Sequence, residues 1–211
     1  MSVVAAWWSP PAAVMAADRC MVFGGKEMMS SDNKVLVLSG ADGNALLGIA
    51  GYMDYADWWR ETYYVPPGSS LTREINKERS CYEIVKDQLR AFVETMRARG
   101  DGRVDDDKWH LGFEGLLACR DGLFYLYGDG SMARSPVSYG AIGTGAEVAM
   151  GALHLQYHHG IRASLEHPGI GRGHAVQRSV EAANAHARGC GFGVRLHAVS
   201  EAEGGRWEDE E

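Results

Sequence analysis

The chain has 211 residues, of which 45% are hydrophobic and 23% charged, so it can bury one sizeable core and fits one domain better than two. Its formal net charge of -7 and pI near 5.6 argue against nucleic acid as a partner, because that affinity depends on clustered lysine and arginine. The four cysteines are widely spaced with no C-x-x-C, which indicates neither a zinc site nor a disulfide framework. Free thiols in a reducing cytoplasm are expected.

The first charged side chain after the amino terminus is Asp18. No basic segment precedes the apolar residues, and Ser9-Pro10-Pro11 interrupts them, so neither a signal peptide nor a membrane helix of about 20 residues is predicted. Val3–Trp8 and Ala12–Ala17 are instead expected to form a β-hairpin around that turn. Apolar residues on both faces of the first strand predict that it is covered on both sides.

The next elements are a second hairpin and two helices. Asn33–Ser39 and Asn44–Gly51 flank the turn sequence "GADG", which is typical of a hairpin. Asp54–Tyr64 is predicted to be a helix, because two prolines follow it. A longer helix is predicted from Ser80 to Gly100, since a glutamate three residues after the serine completes a capping box and apolar residues recur on one face.

The second half repeats this order. Residues 100–108 are predicted to be a solvated loop, and residues 109–130 to be a hairpin with an Asp-Gly turn. Helices are predicted from about Ala146 to Tyr157 and from about His174 to Arg188, before an alternating strand at residues 192–199.

This order, with its antiparallel hairpins, favours two sheets packed face to face with helices outside. Such a fold also covers the first strand on both faces. We therefore predict an α+β fold, a four-layer αββα sandwich of two antiparallel sheets flanked by helices. One domain is expected over residues 1–200, followed by an acidic disordered tail at residues 201–211.

The amino terminus carries the chemistry that the sequence predicts. Ser2 follows Met1, and a residue as small as serine normally allows methionine removal, which leaves a hydroxyl and a free α-amine on Ser2. With a reference pKa of about 7.7 to 8.0, this amine can act as a general base near neutral pH. Asp18 lies sixteen residues after Ser2, and Lys34 sixteen after Asp18. In the predicted strands, all three can meet at one sheet edge.

The sequence "SVVAAWW…VMAADRCMV…SSDNKVLVLS…GIAG" resembles the start of proteasome β subunits and HslV-type peptidases. There a terminal threonine or serine, an acid and a lysine form the active centre at these same spacings. "YGAIGTGAEVAMGALH" is similar to the family's "IGSG" segment, and the weaker resemblance extends from Ser2 to about Ser200. It implies the αββα fold of N-terminal-nucleophile hydrolases.

The resemblance implies a role for each matching residue. Ser2 matches the nucleophile, Lys34 disfavours protonation of its amine, and Asp18 holds Lys34 in place. Gly51 matches the glycine whose N–H forms the oxyanion hole. Thr144 matches the supporting serine of "GSG". The implied activity is that of an N-terminal serine/threonine-type peptidase, which needs no cofactor.

The resemblance also implies specificity and assembly. It places Met21, Ile49 and Met53 around the pocket for the residue before the cut, so large apolar residues are expected there. A cytoplasmic homo-oligomeric ring that acts on peptides or unfolded protein is expected, with an AAA+ ATPase as a possible partner. No membrane partner is expected.

One departure from the family leaves alternatives open. Relatives carry an aspartate after the last helix, whereas this chain has no acid between Glu181 and Glu201, and His186 or Ala187 falls closest. A non-catalytic ring or scaffold subunit is therefore an alternative, as is an amidohydrolase of the same fold that acts on a small amide.

Two other motifs are interpreted as structural. His154 and His158 have the spacing of metal ligands on one helix face, but no nearby acid or cysteine completes a site, so no metal is predicted. Gly169–His174 lacks the preceding strand that a dinucleotide-binding fingerprint requires.

Overall fold

The computed structural model describes residues 2–10, 12–23, 26–29, 34–40, 43–51, 55, 58–59, 79–105, 107–160, 168–188 and 190–200. The strands within them are β1 Val3–Ser9, β2 Ala12–Asp18, β3 Cys20–Phe23, β4 Lys26–Met29, β5 Val35–Gly40, β6 Gly43–Gly51, β7 Arg103–Asp105, β8 Lys108–His110, β9 Phe113–Cys119, β10 Gly122–Tyr127, β11 Met132–Arg134, β12 Tyr139–Gly143 and β13 Val194–Ser200. The helices are α1 Cys81–Arg99, α2 Ala146–Gly160 and α3 Pro168–His186.

Two antiparallel sheets form the centre of the described fold. One has the strand order β12-β1-β2-β13 and the other β11-β10-β9-β6-β5. The predicted hairpins are confirmed as β1–β2, β5–β6 and β9–β10, with Trp7 opposite Val14 in the first. The last described strand, β13, returns to pair with β2 of the first hairpin.

Strand β1 is buried on both faces, as its composition predicts. Val3, Ala5 and Trp7 belong to the core on the outer side of the four-stranded sheet. Val4 and Ala6 point the other way, into the core between the two sheets. Alternate residues of a strand point to opposite faces, so an unbroken apolar run suits a strand in the middle of the sandwich.

Helix α1 covers the outer face of the five-stranded sheet. The Ser80 hydroxyl accepts a hydrogen bond from the Glu83 N–H at 3.2 Å, and the Glu83 carboxylate accepts one from the Ser80 N–H at 3.1 Å, which is the predicted capping box. Gly100 ends the helix with a φ of 80°, a left-handed conformation that glycine adopts easily. The buried face of the helix consists of Cys81, Ile84, Val85, Leu89, Phe92, Val93 and Met96.

Helices α2 and α3 cover the outer face of the other sheet. Ala149 and Leu153 of α2, and Val176 and Val180 of α3, pack against the outward residues of β1 and β2. The layers are therefore α1, the five-stranded sheet, the four-stranded sheet, and α2 with α3. This arrangement confirms the predicted α+β sandwich.

The prediction of a loop over residues 100–108 is wrong in part, because the hairpin β7–β8 begins within this segment. Arg103 pairs with His110, and Asp107 adopts a φ of 62° in the turn. Aspartate tolerates this left-handed conformation better than most residues. Val104 of this hairpin is 66% exposed, whereas Trp109 is partly buried against the core. The run of acids in the sequence gives no signal of the turn.

Other boundaries also differ from the predictions. Helix α3 begins at Pro168 instead of about His174, since proline is well suited to the first turn of a helix. The hairpin β3–β4 is not predicted from the sequence; among the described strands, these two pair with each other alone. Of the helix predicted from Asp54 to Tyr64, Tyr55 and its described neighbours Trp58 and Trp59 are helical, and the rest lies outside the described residues, as does the tail at 201–211.

Leu89 of α1 gives a test of the packing between this helix and its sheet. The side chain is fully buried, so Leu89→Ala should lower the free energy of unfolding by about 2 to 5 kcal/mol. The control is Glu94→Ala on the exposed face of the same helix, for which a change within about 0.5 kcal/mol is expected. Thermal unfolding followed by circular dichroism compares the two, and equal stabilities would contradict the packing described here.

Candidate active site

The predicted triple is prominent among the buried polar residues. In the described part of the chain, the buried polar or charged residues are Ser2, Asp18, Lys34 and Ser179. The Ser179 hydroxyl donates to the Val176 carbonyl oxygen at 2.6 Å, which is a local helix contact. The other three are the predicted site residues. Ser2 lies directly before β1, Asp18 is the last residue of β2, and Lys34 lies directly before β5.

The Asp18 carboxylate connects these segments. Its Oδ1 accepts hydrogen bonds from the Lys34 ammonium at 2.7 Å and from the Val3 N–H at 2.9 Å. Its Oδ2 accepts from the N–H groups of Cys20 at 3.2 Å and Gly191 at 3.3 Å. Four donors directed at one carboxylate compensate for its removal from water.

Lys34 is held by its side chain and by its backbone. Its ammonium group donates to Asp18 and also to the carbonyl oxygen of Cys20. Its own carbonyl oxygen accepts from the Ile49 N–H at 2.9 Å, which fixes the residue against β6. Since the Lys34 and Asp18 side chains are 3% and 0% exposed, the ion pair is buried, and removal of either partner would leave an uncompensated charge.

The backbone that follows Ser2 contacts the Asp18–Lys34 pair through one oxygen atom of the Asp18 carboxylate. The peptide nitrogen after Ser2 belongs to Val3 and donates to the same Asp18 Oδ1 that the Lys34 ammonium contacts. The Ser2 hydroxyl is buried and has no hydrogen-bond partner among the described residues. An unsatisfied buried hydroxyl costs about 1 to 3 kcal/mol, and such groups are often explained by function.

The turn after β12 lies against the backbone of Ser2. Gly143 is opposite Val3, has a φ of 86°, and leaves room for the Ser2 carbonyl oxygen, which a Cβ at position 143 would approach to 2.3 Å. The Gly145 N–H donates to that carbonyl oxygen at 3.4 Å. Thr144, the predicted supporting residue, lies between these two glycines and is exposed. Its role in the reaction stays a prediction.

Gly51 is the last residue of β6 and has a φ of 94°. A Cβ there would come within 2.3 Å of the Gly112 carbonyl oxygen, so the position requires glycine. The preceding residue, Ala50, lies 3.1 Å from where a Cβ of Gly143 would be, which brings this end of β6 next to the Ser2 turn. The oxyanion-hole role of Gly51 stays a prediction.

The predicted pocket residues are placed less completely. Ile49 is fully buried and belongs to the core between the five-stranded sheet and α1. Met21 lies in β3, but its side chain is outside the described residues, as is all of Met53. Their contact with substrate stays a prediction.

Two residues near the site were missed by the sequence analysis. The Glu114 carboxylate accepts a hydrogen bond from the Gly143 N–H at 2.7 Å, although no motif marks this residue in the sequence. Cys190 precedes the glycine that contacts Asp18, and burial, followed by the charge of Asp18, raises the pKa of its thiol to about 11. Cys190 is therefore protonated at neutral pH and is a poor nucleophile.

Two further features concern metal binding and membrane crossing. Within the described ranges, no three histidine, cysteine or acidic side chains cluster as metal ligands. His154 and His158 make an edge-type ring contact with centroids 4.3 Å apart, and the Tyr139 hydroxyl lies 2.8 Å from the His154 Nδ1. None of the helices in the described residues combines the length and apolar character that membrane crossing requires.

Comparison with solved structures places the fold among known ones. BPH from Thiobacillus denitrificans in complex with epoxomicin has a TM-score of 0.65 and 15% sequence identity, and the match covers 95% of this chain and 100% of that one. A second BPH structure from the same organism has a TM-score of 0.64 and 17% identity, over 94% and 97% of the two chains. Eukaryotic HslV from Trypanosoma brucei has a TM-score of 0.57 and 17% identity, over 94% and 99%.

The sequence itself gives no such match. No protein-family model matches it, and no curated protein matches it significantly. The likeness at 15% to 17% identity therefore concerns the fold. This chain has the proteasome-type N-terminal-nucleophile hydrolase fold, as the resemblance in its sequence predicts.

Proposed function

We propose that the chain is an N-terminal serine peptidase, in which Ser2 becomes the nucleophile after Met1 is removed. The observation that carries this proposal is the shared Asp18 oxygen, which joins the Lys34 ammonium to the peptide that follows Ser2. The Ser2 hydroxyl, directly before β1, is buried and has no hydrogen-bond partner among the described residues, and it is the proposed reactive group. The fold shared with the HslV and BPH structures supports the proposal.

The proposed reaction begins at the free α-amine of Ser2. This amine, through a water molecule, takes the hydroxyl proton while Oγ attacks the carbonyl carbon of the scissile amide. The positive charge of Lys34 disfavours protonation of the amine to the ammonium form, so the amine stays available as a base near neutral pH. The C–N bond breaks, the proton passes to the leaving amine, and an acyl-ester remains on Ser2. Water then hydrolyses this ester, with the same amine as base.

The proposal also includes an oxyanion hole, a substrate pocket and an oligomeric assembly. In this proposal, the Gly51 N–H stabilises the oxyanion that develops on the attacked carbonyl. Met21, Ile49 and Met53 form the proposed pocket for a large apolar residue before the cut. A cytoplasmic homo-oligomeric ring, with or without an AAA+ ATPase, encloses the site and limits its substrates to peptides and unfolded protein.

Two alternatives have distinct consequences. An amidohydrolase that acts on a small amide would use the same Ser2 chemistry but would turn over small amides in preference to unfolded protein. A non-catalytic ring subunit is favoured by the missing acid near His186 and Ala187, and it would not react with inhibitors directed at Ser2.

Replacement of the nucleophile tests the central claim. Ser2→Ala should lower kcat/KM for peptide cleavage by about 10³-fold or more and should abolish covalent labelling by a boronate or acylating inhibitor. Intact mass spectrometry measures the labelling directly. A Ser2→Ala chain that keeps its activity would place the nucleophile elsewhere.

Lys34 gives a second test, with two expected effects. Lys34→Ala should lower kcat by about 10²-fold or more, because the amine loses the neighbouring charge that disfavours its protonation, and a protonated amine cannot act as the base. It should also lower the free energy of unfolding by about 3 to 5 kcal/mol, because Asp18 stays buried without its partner. Lys108→Ala, at an exposed position of β8, is the control and should change neither quantity. Full activity of Lys34→Ala in its folded state would exclude the proposed mechanism.

Removal of Met1 is required by this mechanism, because the nitrogen of a peptide-bonded Ser2 is an amide and cannot act as a base. Chain purified from cells treated with a methionine aminopeptidase inhibitor should keep Met1 and be inactive. Treatment of that chain with purified aminopeptidase should restore activity as the mass falls by one methionine. Peptide cleavage at the normal rate with Met1 present would contradict the proposal.

A further inference from the structure

Glu114 lies on the face of its strand that is directed towards the other sheet. It pairs with Ala50 of β6, and residues directly opposite each other in antiparallel strands share a face. Ala50 belongs to the core between the sheets, as does Leu116, two residues after Glu114 on β9. The carboxylate therefore lies at the open end of an otherwise apolar space between the sheets, where Glu114 remains exposed.

The carboxylate reaches across this end of the sandwich to the edge strand of the four-stranded sheet. Its Oε2 lies 2.7 Å from the nitrogen of Gly143, which is the last residue of β12. Among the described strands, β12 pairs with β1 alone, and it is the edge strand of the four-stranded sheet. The contact thus joins the two sheets at one point, through a side chain of one and a backbone N–H of the other.

This point is next to Ser2. Gly143 lies opposite Val3, and its α-carbon packs on the Ser2 carbonyl oxygen so closely that a Cβ would come within 2.3 Å of it. Two residues further along, the Gly145 N–H donates to that same oxygen. A displacement of the 143–145 turn must therefore displace the backbone of Ser2.

We propose that Glu114 is a positioning residue: its carboxylate fixes the Gly143 N–H and thereby holds the 143–145 turn against Ser2. The effect on turnover rests on the proposed function, since it requires Ser2 to be the nucleophile. A hydrogen bond between an N–H and a carboxylate is about twice as strong as one between neutral groups.

The proposed role requires a side chain that is long enough to reach the Gly143 N–H and an oxygen that accepts its hydrogen bond. It does not require a negative charge, and substitutions of Glu114 can test these properties separately. Glutamine keeps the length and an acceptor oxygen but loses the charge. Aspartate keeps the charge but is one methylene shorter, so it falls short of the Gly143 N–H. The proposal therefore expects Glu114→Gln to retain function and Glu114→Asp to behave like Glu114→Ala.

The kinetic experiment uses the full chain after Met1 removal. Glu114→Ala and Glu114→Asp should lower kcat and the rate of inhibitor labelling at Ser2 by about 10- to 100-fold, since small misplacements of reacting groups have effects of this size. KM should stay within about twofold, and Glu114→Gln should stay within about threefold of the unmodified chain. The control is Asp121→Ala, at the exposed turn between β9 and β10, which should leave kcat unchanged.

A second measurement does not depend on activity. Hydrogen exchange followed by mass spectrometry should show faster exchange in peptides that contain residues 2–8 and 139–149 for Glu114→Ala and Glu114→Asp, but not for Glu114→Gln or Asp121→Ala. If the unmodified chain neither labels nor turns over, the proposed function fails while the exchange pattern still decides the positioning role. Unchanged exchange and kcat in Glu114→Ala, or rescue by aspartate and not by glutamine, would overturn the proposal.

Discussion

The carboxylate of Asp18 is the contact on which the site depends. Asp18 is the last residue of β2. The four hydrogen-bond donors to its carboxylate come from β1, from β3, from Lys34 directly before β5, and from Gly191 in the segment before β13. A buried carboxylate without partners would cost several kcal/mol, so these segments are constrained to meet where the charge is. The same atoms that satisfy Asp18 therefore place the lysine and the start of β1 beside each other.

The position of Ser2 follows from the burial of the strand that it precedes. Because β1 packs against helices on one face and against the other sheet on the opposite face, it has little freedom to shift. Its first residues are fixed on one edge by Asp18 and on the other by the glycine turn after β12. Residues near a chain terminus ordinarily fray, whereas here Ser2 is buried.

Much of this arrangement could be predicted from the sequence, because it has strong local signals. The capping box at Ser80 and the unbroken apolar run of β1 each indicate the structure that is found. For Ser2, Asp18 and Lys34 the even spacing alone is a weak signal, and the resemblance to proteasome β subunits and HslV-type peptidases is what predicts that they lie together. The hairpins β3–β4 and β7–β8 could not be predicted, since short strands that pair mainly with each other need no regular alternation. Glu114 could not be predicted either, because only the pairing of β9 with β6 reveals its face.

The low identity to HslV and BPH is understandable from the way the site is built. Outside Ser2, Asp18 and Lys34, the described contacts at the site are mostly made by backbone atoms: the N–H groups of Val3, Cys20, Gly191 and Gly145, and the carbonyl oxygens of Cys20 and Ser2. Backbone groups place few demands on the identity of the residue that supplies them, except where a close approach requires glycine, as at Gly143 and Gly51. A chain can therefore keep this geometry while most of its side chains differ, provided that the sandwich keeps its strands in the same register. That condition depends on apolar patterning, which many sequences satisfy, and this explains why the fold is recognised over nearly the whole chain at 15% to 17% identity.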